Sequence, residues 1–180
     1  MKYMFASDIH GSAYYCKKML EAYKAEKADR LILLGDLLYH GPRNDLPKDY
    51  APKEVIAMLN EHRDDLYVVR GNCDAEVDQM VLHFPIMADY CIIMDGERTI
   101  YASHGHVYHE ENLPPLKNGD IFIHGHTHVL RLFNFEVHIF QCHGFNLIRT
   151  INLVYLSQFN HPLPRCGRTP CRPYSCRSCR

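Results

Sequence analysis

Residues 30–36 read RLILLGD. Leu31 to Leu34 are apolar without a break, and Gly35 and Asp36 close the run. A strand with one wet face would alternate, so a continuous apolar run predicts a parallel strand buried on both sides. Upstream, KYMFAS at 2–7 reads as a second short buried strand. Between the two, SAYYCKKMLEAYKAEKA at 12–28 reads as an amphipathic helix with Met19, Leu20 and Tyr23 near one face. Downstream, the polar and Pro-rich HGPRNDLPKDYAP at 40–52 precedes a helix around KEVIAMLNEHR, with Pro52 near its first turn. LYVVRGN at 66–72 then repeats the pattern of strand, Gly and polar residue. This β-α-β-α-β order implies parallel strands joined by right-handed crossovers.

The second half changes character. YCIIMD at 90–95 and RTIYASHGH at 98–106 flank Gly96 and predict a hairpin. DIFIHGHTH at 120–128 and VLRLFNFEVHIF at 129–140 predict further strands, with a short helix near EENLPPLKN between hairpin and strands. The expected fold class is α/β: two packed sheets, parallel in the first half and mixed in the second, with helices outside.

Every predicted core strand ends in polar residues. Asp8 with His10, Asp36, Asn72, His104 with His106, and His126 with His128 each follow an apolar run directly. Ligands of open α/β sheets bind outside the carboxyl ends of the strands, so five strand ends can converge on one site. Two carboxylates, one amide and several imidazoles form an oxygen and nitrogen set that suits Mn, Fe, Co, Ni or Zn. A carboxylate shared between two cations would give the two-metal arrangement that stabilises attacking and leaving oxygens in displacement at phosphorus.

Composition bounds the alternatives. The chain has 180 residues, 47% hydrophobic and 23% charged, with a formal net charge of -1, as for one ordinary globular domain. No global field points to nucleic acid or membrane as partner. No apolar run approaches the ~18 residues of a membrane span, and the N-terminus lacks the apolar length of a signal peptide, so a cytoplasmic location is expected. Residues 161–180 hold five Arg and no acid, and Cys166, Cys171, Cys176 and Cys179 crowd into them. Nucleic-acid binding by this tail is not expected, because five arginines come without an accompanying fold.

DIHG, GD, GNCD, SHGH and GHTH, in this order, resemble the calcineurin-like metallophosphoesterases. FASDIHGS, RGNCDAEVDQM and LHFPI bring the resemblance closer to the small bacterial phosphodiesterases of the YfcE type, over residues 1–136. The resemblance implies a four-layer α/β/β/α sandwich of two mixed sheets flanked by helices. It also implies that Asp8, His10, Asp36 and His128 hold one metal and Asp36, Asn72, His104 and His126 the other, with Asp36 the bridge. The cofactor implied is a pair of divalent ions, Mn first and Ni, Fe, Co or Zn as alternatives. The reaction implied is hydrolysis of a small phosphodiester by a hydroxide activated between the two metals.

Larger members of this superfamily carry His where Cys73 stands here. A thiol is a poorer proton donor to an alkoxide than an imidazolium, so diesters with acidic leaving groups, such as aryl esters, are the expected substrates. Asn72, Cys73 and His104 are the candidates at the reacting phosphate. Arg43, on the loop after Asp36, and His106 are the candidates for substrate contact. His124 is expected to pack at its strand end. The competing function is a catalytically weak protein that keeps the fold as a binding scaffold.

After Glu136 the family pattern stops, and residues 137–180 contain no Lys, Asp or Glu. A metallophosphoesterase domain at 1–136 and an atypical segment at 137–180, rich in Cys, Arg and Pro from 161, are therefore expected. A reading-frame shift near codon 137 would produce such a break. A genuine alternative C-terminus would instead extend the sheets through VHIFQCHGFNLI and TINLVYLS. A zinc knob from the last four cysteines fits poorly with their spacing. Loss of the closing strands would weaken the support behind GHTH and leave a sheet edge that invites homo-oligomers.

Overall fold

The structure is a computed structural model that describes residues 1–42 and 44–127, together with the backbone of three strands at 132–134, 138–141 and 149–152. The first sheet contains β1 (Lys2–Ala6), β2 (Arg30–Leu33), β3 (Leu66–Val68) and β9 (Arg149–Asn152), in the order β3-β2-β1-β9. β1, β2 and β3 run parallel, as the crossover pattern predicts, and β9 joins β1 antiparallel. With that fourth strand the first sheet is mixed, as the family resemblance implies. The second sheet contains β4 (Tyr90–Asp95), β5 (Arg98–Ser103), β6 (Ile121–His124), β7 (Leu132–Asn134) and β8 (His138–Gln141), in the order β4-β5-β6-β8-β7.

The side chains of β2 explain the sandwich. Leu31 and Leu33 face the cluster that includes Cys16, Met19, Leu20 and Tyr23 of α1 (Ala13–Glu26) and Val55 and Leu59 of α2 (Pro52–Glu61). Ile32 faces the other way and packs with Tyr3, Phe5, Ile100, Ile121 and Ile123 between the two sheets. Both faces are dry, which is why the run has no polar member. Burying a Leu or Ile side chain contributes about 1.5–3 kcal/mol, so β2 alone anchors two layers.

Helix α1 starts where Ser12 Oγ accepts the N–H of Tyr15, at 3.2 Å, and stops where Lys27 turns left-handed. Its buried positions recur three and four apart. Pro52 opens α2 at a position where its missing N–H has no partner to lose.

The segment expected to be a short helix near residues 110–118 is irregular. Pro114 and Pro115 remove two donors, and Asp120 instead accepts the N–H groups of Lys117 and Thr99. Leu116 of this loop and Tyr108 just before it cover Tyr101 and Phe122 on the outer face of the second sheet. A one-turn helix, α3 (Glu76–Gln79), went unpredicted; it begins where Asp78 accepts the N–H of Ala75.

Backbone beyond Glu136 also enters the sheets. β8 runs parallel to β6, pairing His124 with Gln141, and β9 runs antiparallel to β1, pairing Phe5 with Arg149. The described parts of this segment, β8 and β9, thus lie beside strands that lead to the proposed site.

Candidate metal centre

The polar strand ends meet at one place. Asp8 and His10 follow β1, Asp36 follows β2, Asn72 follows β3, His104 follows β5 and His126 follows β6. Asp8, His10, Asp36 and His104 are all nearly inaccessible, at 0–2% exposure, although each is polar. Asp8, His10, Asp36 and His126 adopt left-handed backbone conformations, with φ of 58°, 49°, 56° and 72°. Such strain in non-glycine residues costs about 1–3 kcal/mol each and persists where the surroundings enforce it, characteristically at functional sites.

Two glycines make the convergence possible. A Cβ on Gly71 would lie 2.1 Å from Asp36 Oδ1, and one on Gly125 would lie 2.0 Å from Ser7 Oγ and 2.9 Å from Asp8 Oδ2. The loops after β2 and β3, and those after β1 and β6, touch backbone to side chain there.

Each carboxylate is used in the same way. Asp8 Oδ2 accepts the N–H of His126 at 3.1 Å, and Oδ1 lies 3.6 Å from His10 Nε2. Asp36 Oδ1 accepts the N–H of Cys73 at 2.8 Å, while Oδ2 lies 3.6 Å from His10 Nε2 and 3.5 Å from His104 Nε2. The imidazoles mirror this: His10 Nδ1 donates to the Tyr39 carbonyl at 2.8 Å and His104 Nδ1 to the Leu34 carbonyl at 2.7 Å. A carbonyl only accepts, so this network assigns a proton to Nδ1 and turns Nε2 toward the carboxylates. His104 Nε2 is also 3.0 Å from Asn72 Oδ1 and 3.1 Å from His126 Nδ1.

Carboxylate oxygens and imidazole nitrogens thus crowd into one buried cluster, and a cation would offset the negative charge gathered there. The donor set fits divalent metal ions on this ground, with the second nitrogens already oriented by backbone carbonyls as metal-binding imidazoles usually are. The field of the site is negative. Burial pulls the pKa of His10 down, but the hydrogen bond to Asp8, the Tyr39 carbonyl and the Asp36 charge outweigh it and raise it. His106, at the exposed rim, is shifted the other way, its pKa lowered by partial desolvation first and by His104 and His126 next.

Asp36 is itself held by a carboxylate that the sequence reading left without a role. Asp74, 3% exposed, accepts three backbone N–H groups, from Asp36 at 2.8 Å, Leu37 at 2.9 Å and Gly71 at 2.7 Å. Burial raises its pKa, while these N–H bonds work in the opposite direction. Its signal in the sequence was the acid that directly follows GNC.

The cluster opens into a cavity of about 400 Å³ lined by His10, Asp36, Gly41, Pro42, Asn44, Asn72, Cys73, His126 and Thr127. Asn44 and Thr127 also escaped the sequence reading, because loop positions carry no periodic signal. The Cys73 thiol is pushed up to about 12, by burial first and by the Asp36 charge second. The His106 ring is exposed, with its centre 5.3 Å from that of His104 and 6.3 Å from that of His126. His124 is fully buried, stacks on Phe122 at 5.1 Å and packs at its strand end as expected. His128 and Arg43 lie outside the described residues.

Comparisons with known proteins point the same way. The family model for the calcineurin-like phosphoesterase superfamily domain matches residues 1–147. Phosphodiesterase YfcE of Escherichia coli strain K12 is 49% identical over 129 residues, which span 72% of this chain and 70% of that protein. A solved structure of Yfce, described as a phosphoesterase from E. coli, matches with a TM-score of 0.76 at 46% identity, covering 78% of each chain. An archaeal phosphodiesterase structure matches with a TM-score of 0.58 at 20% identity, over 80% of this chain and 84% of that one, a likeness of fold alone.

Proposed function

The chain belongs to the calcineurin-like phosphoesterase superfamily, and from that membership we propose that it is a phosphodiesterase that hydrolyses small phosphodiesters with two divalent cations. Asp8, His10 and Asp36 would hold one cation, with His128 as the further ligand implied by the motif. Asp36, Asn72, His104 and His126 would hold the other. The observation that carries this reading is Asp36 Oδ2, which lies 3.6 Å from His10 Nε2, beyond β1 of the first sheet, and 3.5 Å from His104 Nε2, beyond β5 of the second.

When bound, such cations lower the pKa of a water to near neutrality and offset charge on the phosphoryl oxygens. The chain's own task is orientation. The Tyr39 and Leu34 carbonyls fix two imidazoles, Asp74 fixes the Asp36 backbone, and the cavity admits an ester beside them. A protein nucleophile is not required. Cys73, where larger relatives have His, offers no good proton to a leaving alkoxide, so the substrates would be diesters with acidic leaving groups, aryl esters among them. Arg43 and His106 are assigned to the substrate side of the site. Mn is the first choice of metal. Among the described residues no helix is long and apolar enough to cross a membrane, and we keep the cytoplasm as the proposed location.

Hydrolysis of bis(p-nitrophenyl) phosphate by the full chain, stripped of metal and titrated with Mn, tests the reading beside Asp36→Asn. Activity that appears with Mn and is lost in the variant is expected. A folded, metal-loaded chain without activity would favour the scaffold function.

A further inference from the structure

Oxygen and nitrogen donors alone make up the set read from the strand ends, and the plainest alternative for a half-buried cysteine such as Cys73 is a small filler. Its surroundings are not those of a filler. Cys16, which is one, sits fully buried in the apolar cluster under α1. Cys73 instead lines the cavity beside His10, Asp36, Asn72 and His126, with Sγ accepting from Asn72 Nδ2 at 3.3 Å. Its N–H is anchored on Asp36 Oδ1 at 2.8 Å, which holds the Cys73 backbone beside that carboxylate.

A donor atom from each of His10, Asp36 and Cys73 lies within 4.8 Å of the other two. Donors bound at about 2.0–2.3 Å to one ion are at most about 4.6 Å apart, so these three need only small rotations to share one. Such rotations are accessible to a thiol with a single χ angle at the wall of a cavity.

We propose that Cys73 supplies a sulfur ligand to the cation position formed with His10 and Asp36, which makes that position selective for thiophilic divalent ions such as Co, Zn or Cd. The inference rests on the metal centre proposed above. The other position, at Asn72, His104 and His126, has oxygen and nitrogen donors alone, so the two positions differ in softness and would fill with different metals from a mixture. On coordination the S–H bond breaks, its electron pair forms the sulfur–metal bond and the proton goes to solvent. A sulfur so engaged has no proton to give, which agrees with a preference for leaving groups that need none.

The test is optical. Cobalt(II) is titrated into the metal-free full chain and into Cys73→Ser and His10→Ala, with circular dichroism to show that each is folded. Other cysteines in the chain can bind cobalt, so the quantity read is the native spectrum minus that of Cys73→Ser. The expected result is visible ligand-field bands in both, and a near-ultraviolet sulfur-to-cobalt charge-transfer band in the difference that His10→Ala also removes. Competition should show Zn affinity about tenfold lower in Cys73→Ser, with Mn affinity changed less. Ligand-field bands without a Cys73-dependent charge-transfer band would overturn the sulfur ligand and leave the metal centre standing. A folded native chain without any cobalt band would overturn the metal centre and this inference together. If Cys73→Ser misfolds, Cys73→Ala serves in its place.

Discussion

Asp74 Oδ2 accepts the backbone N–H of Asp36 at 2.8 Å. The carboxylate at the centre of the site is thus held in its left-handed conformation by a second, buried carboxylate. Asp74→Ala leaves three buried N–H groups without an acceptor, and hydrogen bonds to a charged group are worth about 1.5–3 kcal/mol each. The expected outcome is a loss of at least about 3 kcal/mol in urea unfolding. Asp74→Asn keeps one acceptor oxygen and should lose less. An unchanged midpoint for Asp74→Ala would refute the bracing role.

Gly71→Ala acts on the same place from the other side. Its Cβ would meet Asp36 Oδ1 at 2.1 Å, so Asp36 must move. Metal content by elemental analysis should drop with a fold that survives by circular dichroism, and bis(p-nitrophenyl) phosphate hydrolysis should fall about 100-fold. Full metal loading in the variant would show that the loops have slack the structure does not suggest.

Divalent ions should stabilise the chain, because their charge offsets the buried carboxylates of Asp8 and Asp36. An ion present at 100 times its dissociation constant adds about 2.7 kcal/mol. The melting temperature should therefore rise with added Mn or Co and return on chelation, and Asp36→Asn should abolish most of that response. A native melting curve indifferent to metal would contradict the site.

Cys73→His should raise monoesterase activity relative to diesterase activity, since an imidazolium can protonate a poor leaving group. Rates on p-nitrophenyl phosphate and on an alkyl monoester, compared with those on the bis ester, give the ratio. No change in that ratio would remove Cys73 from the account of specificity.

Cys16 should resist thiol reagents in the native chain. It is fully buried, and burial pushes its thiol up to about 12, so at pH 8 the reactive thiolate is scarce as well as inaccessible. Peptide mapping after brief alkylation should find Cys16 unmodified without denaturant and modified with it. Native labelling at Cys16 would mean that α1 opens readily from the sheet.

Much of this was legible in the chain. The apolar run at 31–34, closed by Gly35 and Asp36, announced a strand buried on both faces, because only a two-sided core tolerates such a run. The repeated ending of strand, then Asp, Asn or His, announced convergence at carboxyl ends, because parallel strands present those ends on one side. The irregular loop at 110–118 was misread as a helix, since its two prolines and the tertiary acceptor Asp120 compete with local helix formation.

What only the tertiary structure decided was pairing at a distance. Nothing local shows that Asp74 would hold Asp36, that the Tyr39 and Leu34 carbonyls would orient His10 and His104, or that the Cys73 thiol would come within reach of His10. The antiparallel place of β9 beside β1 is of the same kind. Residue type and spacing determine which groups stand at a strand's end, through steric and solvation preferences a few residues long. Which of those groups meet depends on the order in which strands enter two sheets, and that is settled by burial of apolar surface over the whole chain.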